Sequence, residues 1–134
     1  MDFSANLGKL VLRLTLGGLL LLHGLSKLQA VPVGIMDRLA DVGLPSALGY
    51  LVYVGEVLAP LLLIVGVWTR AAAVLVAINM IVAVVLVHAS QLDELTHSGG
   101  WALELQGFYF FTAVAIMLLG AGKFSVGGAG GKLN

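Results

Sequence analysis

Eight side chains able to bind, ionise or pass a proton interrupt the apolar runs of this sequence: Arg13, His23, Lys27, Glu56, Asn79, His88, Glu104 and Gln106. The two imidazoles can donate or accept a proton near neutral pH. The two carboxylates can hold an imidazole in one tautomer or take the proton onward, and the Lys27 ammonium can meet an anionic oxygen. Other chemistries are poorly supplied. No cysteine is present, which excludes disulfides, thiolate metal ligands, iron–sulfur ligation and a cysteine nucleophile. His23, His88, His97 and Glu104 carry nitrogen and oxygen donors, but none stand three or four residues apart and no HExxH occurs, so no metal site is expected. A serine hydrolase would need a nucleophile elbow, which is missing. No residue is assigned as catalytic.

Those eight residues are informative because of where they lie. The chain has 134 residues, of which 60% are hydrophobic and 10% charged, and its mean hydropathy is +1.05. A soluble domain carries roughly 25% charged residues, and one this small buries only about two-thirds of its chain surface. The composition excludes a soluble monomer, a disordered chain and, with Lys+Arg 7 against Asp+Glu 7, a nucleic-acid binder. An integral membrane protein remains. Residues 7–28, 46–68, 70–90 and 101–122 each approach the ~20 mostly apolar residues of a spanning helix. The expected fold is all-α, an antiparallel four-helix membrane bundle forming a single domain over residues 1–134. The first span is read as retained, because its apolar run exceeds that of a signal peptide and no A-x-A site follows. Ile35, Met36, Leu39 and Val42, near helical spacing, predict a short interfacial helix at about 33–43. The Gly-rich tail 126–134 is expected to fray. Lys9, Arg70, Lys123 and Lys132 fall on one side of such a bundle, and Lys27 and Arg38 on the other. The positive-inside rule then places both termini in the cytoplasm.

Helical rise sorts the polar residues by depth. Measured from the cytoplasmic edge, Arg13 stands at ~9 Å, Asn79 at ~14 Å and Glu56 at ~18 Å, whereas His23, Gln106, His88, Glu104 and Lys27 fall between ~24 and ~30 Å. Arg13, Gly17, Leu20, Gly24 and Lys27 share one stripe of the first helix, and Gly49, Tyr53, Glu56 and Pro60 share one of the second. Pro60 has no N–H to offer the Glu56 carbonyl, so a kink is expected there. Two groupings follow. Arg13 and Glu56 are expected to form a structural ion pair, with Asn79 beside it. His23, Lys27, His88 and Glu104, with Gln106 and Glu56, are expected to make a ligand or proton-relay pocket near Trp101. The same outer residues equally suit a polar lid that closes the bundle. Simpler roles exist for each: Lys27 snorkelling, His88 at a wet helix end, Asn79 as an interhelical donor, and Trp101, Phe108, Tyr109, Phe110 and Phe111 as belt and packing residues.

Several fragments, in order, resemble the DoxX family of small four-helix bacterial membrane proteins. They are LRLTLGGLLLLHGLSKL, the GLP before the second helix, GEVLAPLLLIVGVWTRAAA, GGWALELQGFYFF and GAGKFSV, which together run from about Leu10 to Val126. The chain departs from the pattern at Leu58, Ala59 and Pro60, where many members carry G-G, and at Gly127, where many carry Asp. The resemblance implies a multi-pass protein of a bacterial-type cytoplasmic (inner) membrane. Related DoxD-type proteins are subunits of a thiosulfate:quinone oxidoreductase, and other relatives are linked to quinones, catechols or oxidative stress. The implied function is a redox-linked subunit that interacts with a quinone or related small molecule. Its implied partners are membrane lipids, a soluble or membrane redox partner and further copies of the chain. A small permease, a lipid- or solute-binding protein and a structural membrane subunit without catalysis are the alternatives.

Overall fold

A computed structural model describes residues 2–29 and 33–134. Helix α1 runs over Phe3–Leu28, α2 over Val33–Asp41, α3 over Ser46–Val65, α4 over Thr69–Val87 and α5 over Glu104–Leu119. Among the described residues the one extended pairing is the short antiparallel bridge between Leu95 and Trp101. Helices α1, α3 and α4 are long and apolar enough to cross a membrane, and α5 is a shorter apolar helix. The helix expected at about 33–43 is α2.

Local chemistry sets the ends. The Asp2 side chain accepts the Ala5 N–H at 2.7 Å and caps α1. Helix α3 begins as a 3-10 segment at Ser46–Leu51, widens to a π-turn at Val54–Leu58 and continues as α-helix over Ala59–Val65. Pro60 explains the widening. Its ring crowds the carbonyl four residues back and it cannot donate a hydrogen bond, so the ladder slips by one residue and the Ala59 N–H reaches the Val54 carbonyl. The break in the ladder expected at Pro60 is met by that turn. Gly66, at φ 77°, ends α3 three residues earlier than its hydropathy suggests.

The fourth helix is also shorter than expected. It starts at Glu104 rather than 101 and covers 16 residues. The residues before it make their own backbone bonds, Thr96 N–H to the Gly100 carbonyl at 2.7 Å and Ala102 N–H to the Glu94 carbonyl at 3.0 Å. The Trp101 indole donates to the Leu92 carbonyl at 2.8 Å, so Trp101 belongs to this loop.

Core side chains Leu16, Leu20, Leu63, Val76, Met80, Tyr109 and Ile116 meet between the helices. Ala72, Ala73 and Ala113 are fully buried and let α4 and α5 approach closely. The outer surface is apolar: Phe108 and Phe111 are 74% and 68% exposed, as suits helices solvated by lipid tails.

The expectation of a frayed tail is overturned. The Val126 and Gly127 N–H groups donate to the Val65 and Gly66 carbonyls at 3.0 and 3.1 Å. The Leu133 carbonyl accepts the Arg70 N–H at 2.8 Å, and Asn134 Oδ1 accepts the Thr69 N–H at 2.9 Å. Helix ends leave backbone groups unpaired, and here the tail satisfies those at the α3–α4 junction.

Candidate functional site

The most concentrated chemistry lies where α1, α3 and α4 meet. Glu56, 4% exposed, stands inside the π-turn of α3. Lys27 Nζ lies 2.8 Å from each of its carboxylate oxygens. Asn79 Nδ2 of α4 donates to Glu56 Oε1 at 3.1 Å. The phenol of Tyr53 donates to the Lys27 carbonyl at 3.0 Å and fastens the end of α1 to α3. Two glycines make this approach possible. A methyl group on Gly24 would strike the carbonyl oxygen of Glu56, and one on Gly55 would lie 2.6 Å from Asn79 Cβ and Cγ. The π-turn aims Glu56, and the glycines let its partners close on it.

This cluster supplies the polar lining of a cavity of about 590 Å³ between α2, α3 and α4. The remaining wall is almost wholly aliphatic, with Leu39 of α2, Leu48 and Val52 of α3, and Ile78, Val82 and Leu86 of α4. A mostly apolar pocket with a few convergent polar groups is the usual form of a small-molecule site.

The expected Arg13–Glu56 pair is not formed. Arg13, 1% exposed, donates instead to four backbone carbonyls: Leu63 and Ile64 at the end of α3, and Ala121 and Phe124 beyond α5, at 2.9–3.1 Å. The reason is directional. Helical side chains lean toward the N-terminus of their own helix. On α1 that lean carries Arg13 toward the end of the bundle where α1 begins and α3 stops, and where α3 presents unpaired, electronegative carbonyls. The same lean carries Lys27 back from the end of α1 to Glu56.

The outer residues do not converge as expected. Lys27 and Glu56 come together, with Asn79 as their third member. His23 is exposed and meets the Tyr109 ring edge-on at 6.0 Å between centroids. His88 hydrogen-bonds its neighbour Gln91 at 2.8 Å. Glu104 is exposed and folds toward Gly100, where an added methyl would lie 2.7 Å from its Oε2. Gln106 is half-buried on the same helix. Among the described residues no hydrogen bond or ion pair joins His23, His88, Glu104 or Gln106 to Lys27 or to one another. His88 and Glu104 are held apart because they lie at opposite ends of a loop with its own hydrogen-bond ladder. No group of three or more metal-ligating His, Cys, Asp or Glu residues occurs among the described residues. Tyr53 and Gly55 are the site residues that sequence reasoning passed over. Tyr53 was on the Glu56 stripe, and that spacing was its available signal.

A membrane-type helical bundle with a part-buried ion pair lining an apolar cavity is thus the class of protein that the fold and site define. The DoxX family model matches residues 8–89, and the chain belongs to that family. It is also 34% identical over 87 residues to a Bacillus subtilis (strain 168) protein named "Putative oxidoreductase CatD". That alignment covers 65% of this chain and 64% of the relative, so the chain is matched to less than two-thirds of the relative's length. No solved structure matches the chain significantly. The family match contains Lys27, Glu56 and Asn79. The fourth-helix part of the resemblance lies outside it.

Proposed function

We propose that this DoxX-family membrane protein is a redox-linked subunit that holds a quinone or related small molecule in the cavity headed by Lys27, Glu56 and Asn79. One observation carries the reading: the one ion pair among the described residues has its carboxylate buried, and it lines a cavity large enough for a drug-sized molecule. Quinone chemistry couples electrons to protons, and ionisable groups within a membrane mark proton routes. Glu56 is the group able to take such a proton, with the Lys27 ammonium and the Asn79 amide holding it in place. The relative's oxidoreductase name agrees with this reading. The chain has no cysteine, so the electrons come from a partner or from the bound molecule. The proposed location is a bacterial-type cytoplasmic membrane with both termini inside.

The direct experiment is purification in mild detergent, followed by visible spectroscopy and mass spectrometry of extracted small molecules. A quinone recovered in near-stoichiometric amount, and lost from Glu56→Gln protein, is the expected result. A non-redox lipid or solute in its place would move the assignment to a binding protein or permease.

A further inference from the structure

The charge arithmetic of the cavity head restricts what it can hold. Lys27 and Glu56 cancel one another, with both carboxylate oxygens on the ammonium, and Asn79 adds only a neutral amide. No counter-charge is left for an ionic ligand. The head is also deep. Helical rise places Glu56 ~12 Å below the outer edge of a ~30 Å hydrocarbon core. A phospholipid would have to draw its charged headgroup down to that level, and an unpaired ion there is heavily penalised. The cavity runs along α4 to either side of Asn79, from Leu75 to Val87, its longer arm covering about 12 Å of helix, over a wall of aliphatic side chains.

Resting on the assignment of this cavity as a ligand site, we propose that it selects uncharged, membrane-dissolved molecules. The hydroxy- or oxo-bearing head sits on Lys27, Glu56 and Asn79 and the apolar body lies along α4. The same molecule is rejected once its head is ionised. Discrimination comes from the neutralised ion pair rather than from shape.

The test uses two probes that share a tail and a ring, 4-decylphenol and 4-decylphenyl sulfate. The full-length protein is held in nanodiscs of phosphatidylcholine, and retained probe is read by native mass spectrometry at matched bilayer content. The wild type is expected to retain the phenol at least about tenfold better than the sulfate, since the sulfate brings an uncompensated charge into an apolar site. Glu56→Gln leaves the Lys27 charge uncancelled and is expected to reverse that order. The Lys27→Gln/Glu56→Gln double variant is neutral again and is expected to restore it. Equal retention of both probes by the wild type, or a ratio unmoved by Glu56→Gln in protein with unchanged circular dichroism, overturns the charge rule and leaves the ligand site standing. Retention of neither probe by folded wild-type protein overturns the ligand site itself.

Discussion

At the residue scale, two cations of α1 serve different ends. Arg13 offers a planar fork of donors and spends it on four carbonyls from two separate segments. A lysine there keeps the charge but not the fork. Hydrogen bonds to a charged group contribute about 1.5–3 kcal/mol each, so losing two of them makes Arg13→Lys less stable by at least about 3 kcal/mol. Thermal unfolding in detergent, followed by circular dichroism, measures this; a midpoint within error of wild type would contradict the carbonyl cage. Lys27 and Glu56 form a pair in which only the carboxylate is deeply buried, the lysine side chain being 36% exposed. Removing the lysine therefore leaves the worse orphan. Lys27→Met is expected to destabilise by about 3–5 kcal/mol and to exceed Glu56→Gln, which strands an ammonium that is already partly solvated. The Lys27→Met/Glu56→Gln double variant is expected to be more stable than Lys27→Met alone. Strict additivity in that cycle would mean the pair has no coupling energy.

At the element scale, glycines decide how near α1 comes to α3. Gly24 presses on the Glu56 carbonyl, while Gly8, on the same helix, has open space around its Cα. The two positions should respond to the same substitution with opposite sign. Gly24→Ala forces backbone apart at a cost of at least about 1–3 kcal/mol. Gly8→Ala stabilises by about 0.5–1 kcal/mol, through helix propensity alone. Comparison of the two melting midpoints checks this, and a destabilised Gly8→Ala with an unaffected Gly24→Ala would refute the close packing. The stripe Arg13, Gly17, Leu20, Gly24 is legible in the sequence at 4-3-4 spacing, and the structure buries every member. The π-turn around Glu56 is less legible. Pro60 announces a break in the ladder, but proline can bend a helix or widen it, and only the packing of α1 and α4 on that turn selects one.

At the scale of the whole molecule, one end of the bundle is tied by the tail. Lys9 packs at Gly122, Asn6 accepts the Lys123 N–H at 2.9 Å, and Arg70 donates to the Met117 carbonyl at 2.7 Å. Removing residues 126–134 frees the carbonyls of Val65 and Gly66 and the N–H groups of Thr69 and Arg70. At about 1 kcal/mol for each lost hydrogen bond the truncated protein is expected to be roughly 3–4 kcal/mol less stable; an unchanged unfolding midpoint would show the tail to be dispensable. That same end gathers the excess of basic side chains, which is the basis for placing it in the cytoplasm. Because the chain is free of cysteine, single cysteines report sidedness cleanly. In intact cells an impermeant maleimide should label Ser98→Cys and should label Ser4→Cys only after permeabilisation. The reverse pattern would invert the bundle.

Much of this protein is settled by composition and periodicity. Sixty per cent hydrophobic residues in long runs leave lipid as the medium, and lipid leaves helices as the structure, because unpaired backbone groups are too costly there. Glycine and polar stripes at helical spacing show which faces turn inward. Depth along a helix is readable as well, since rise per residue is constant. The pairing of side chains was decided by the tertiary structure. Depth ranked Arg13 and Glu56 as neighbours. The tilt of helical side chains toward the N-terminus, together with the carbonyls exposed where α3 ends, gave Arg13 to the backbone and Lys27 to Glu56. The tail likewise looked unstructured by composition, because glycine carries no pattern of its own. Its order comes from the unpaired groups at the α3–α4 junction, and those exist only once the helices have packed.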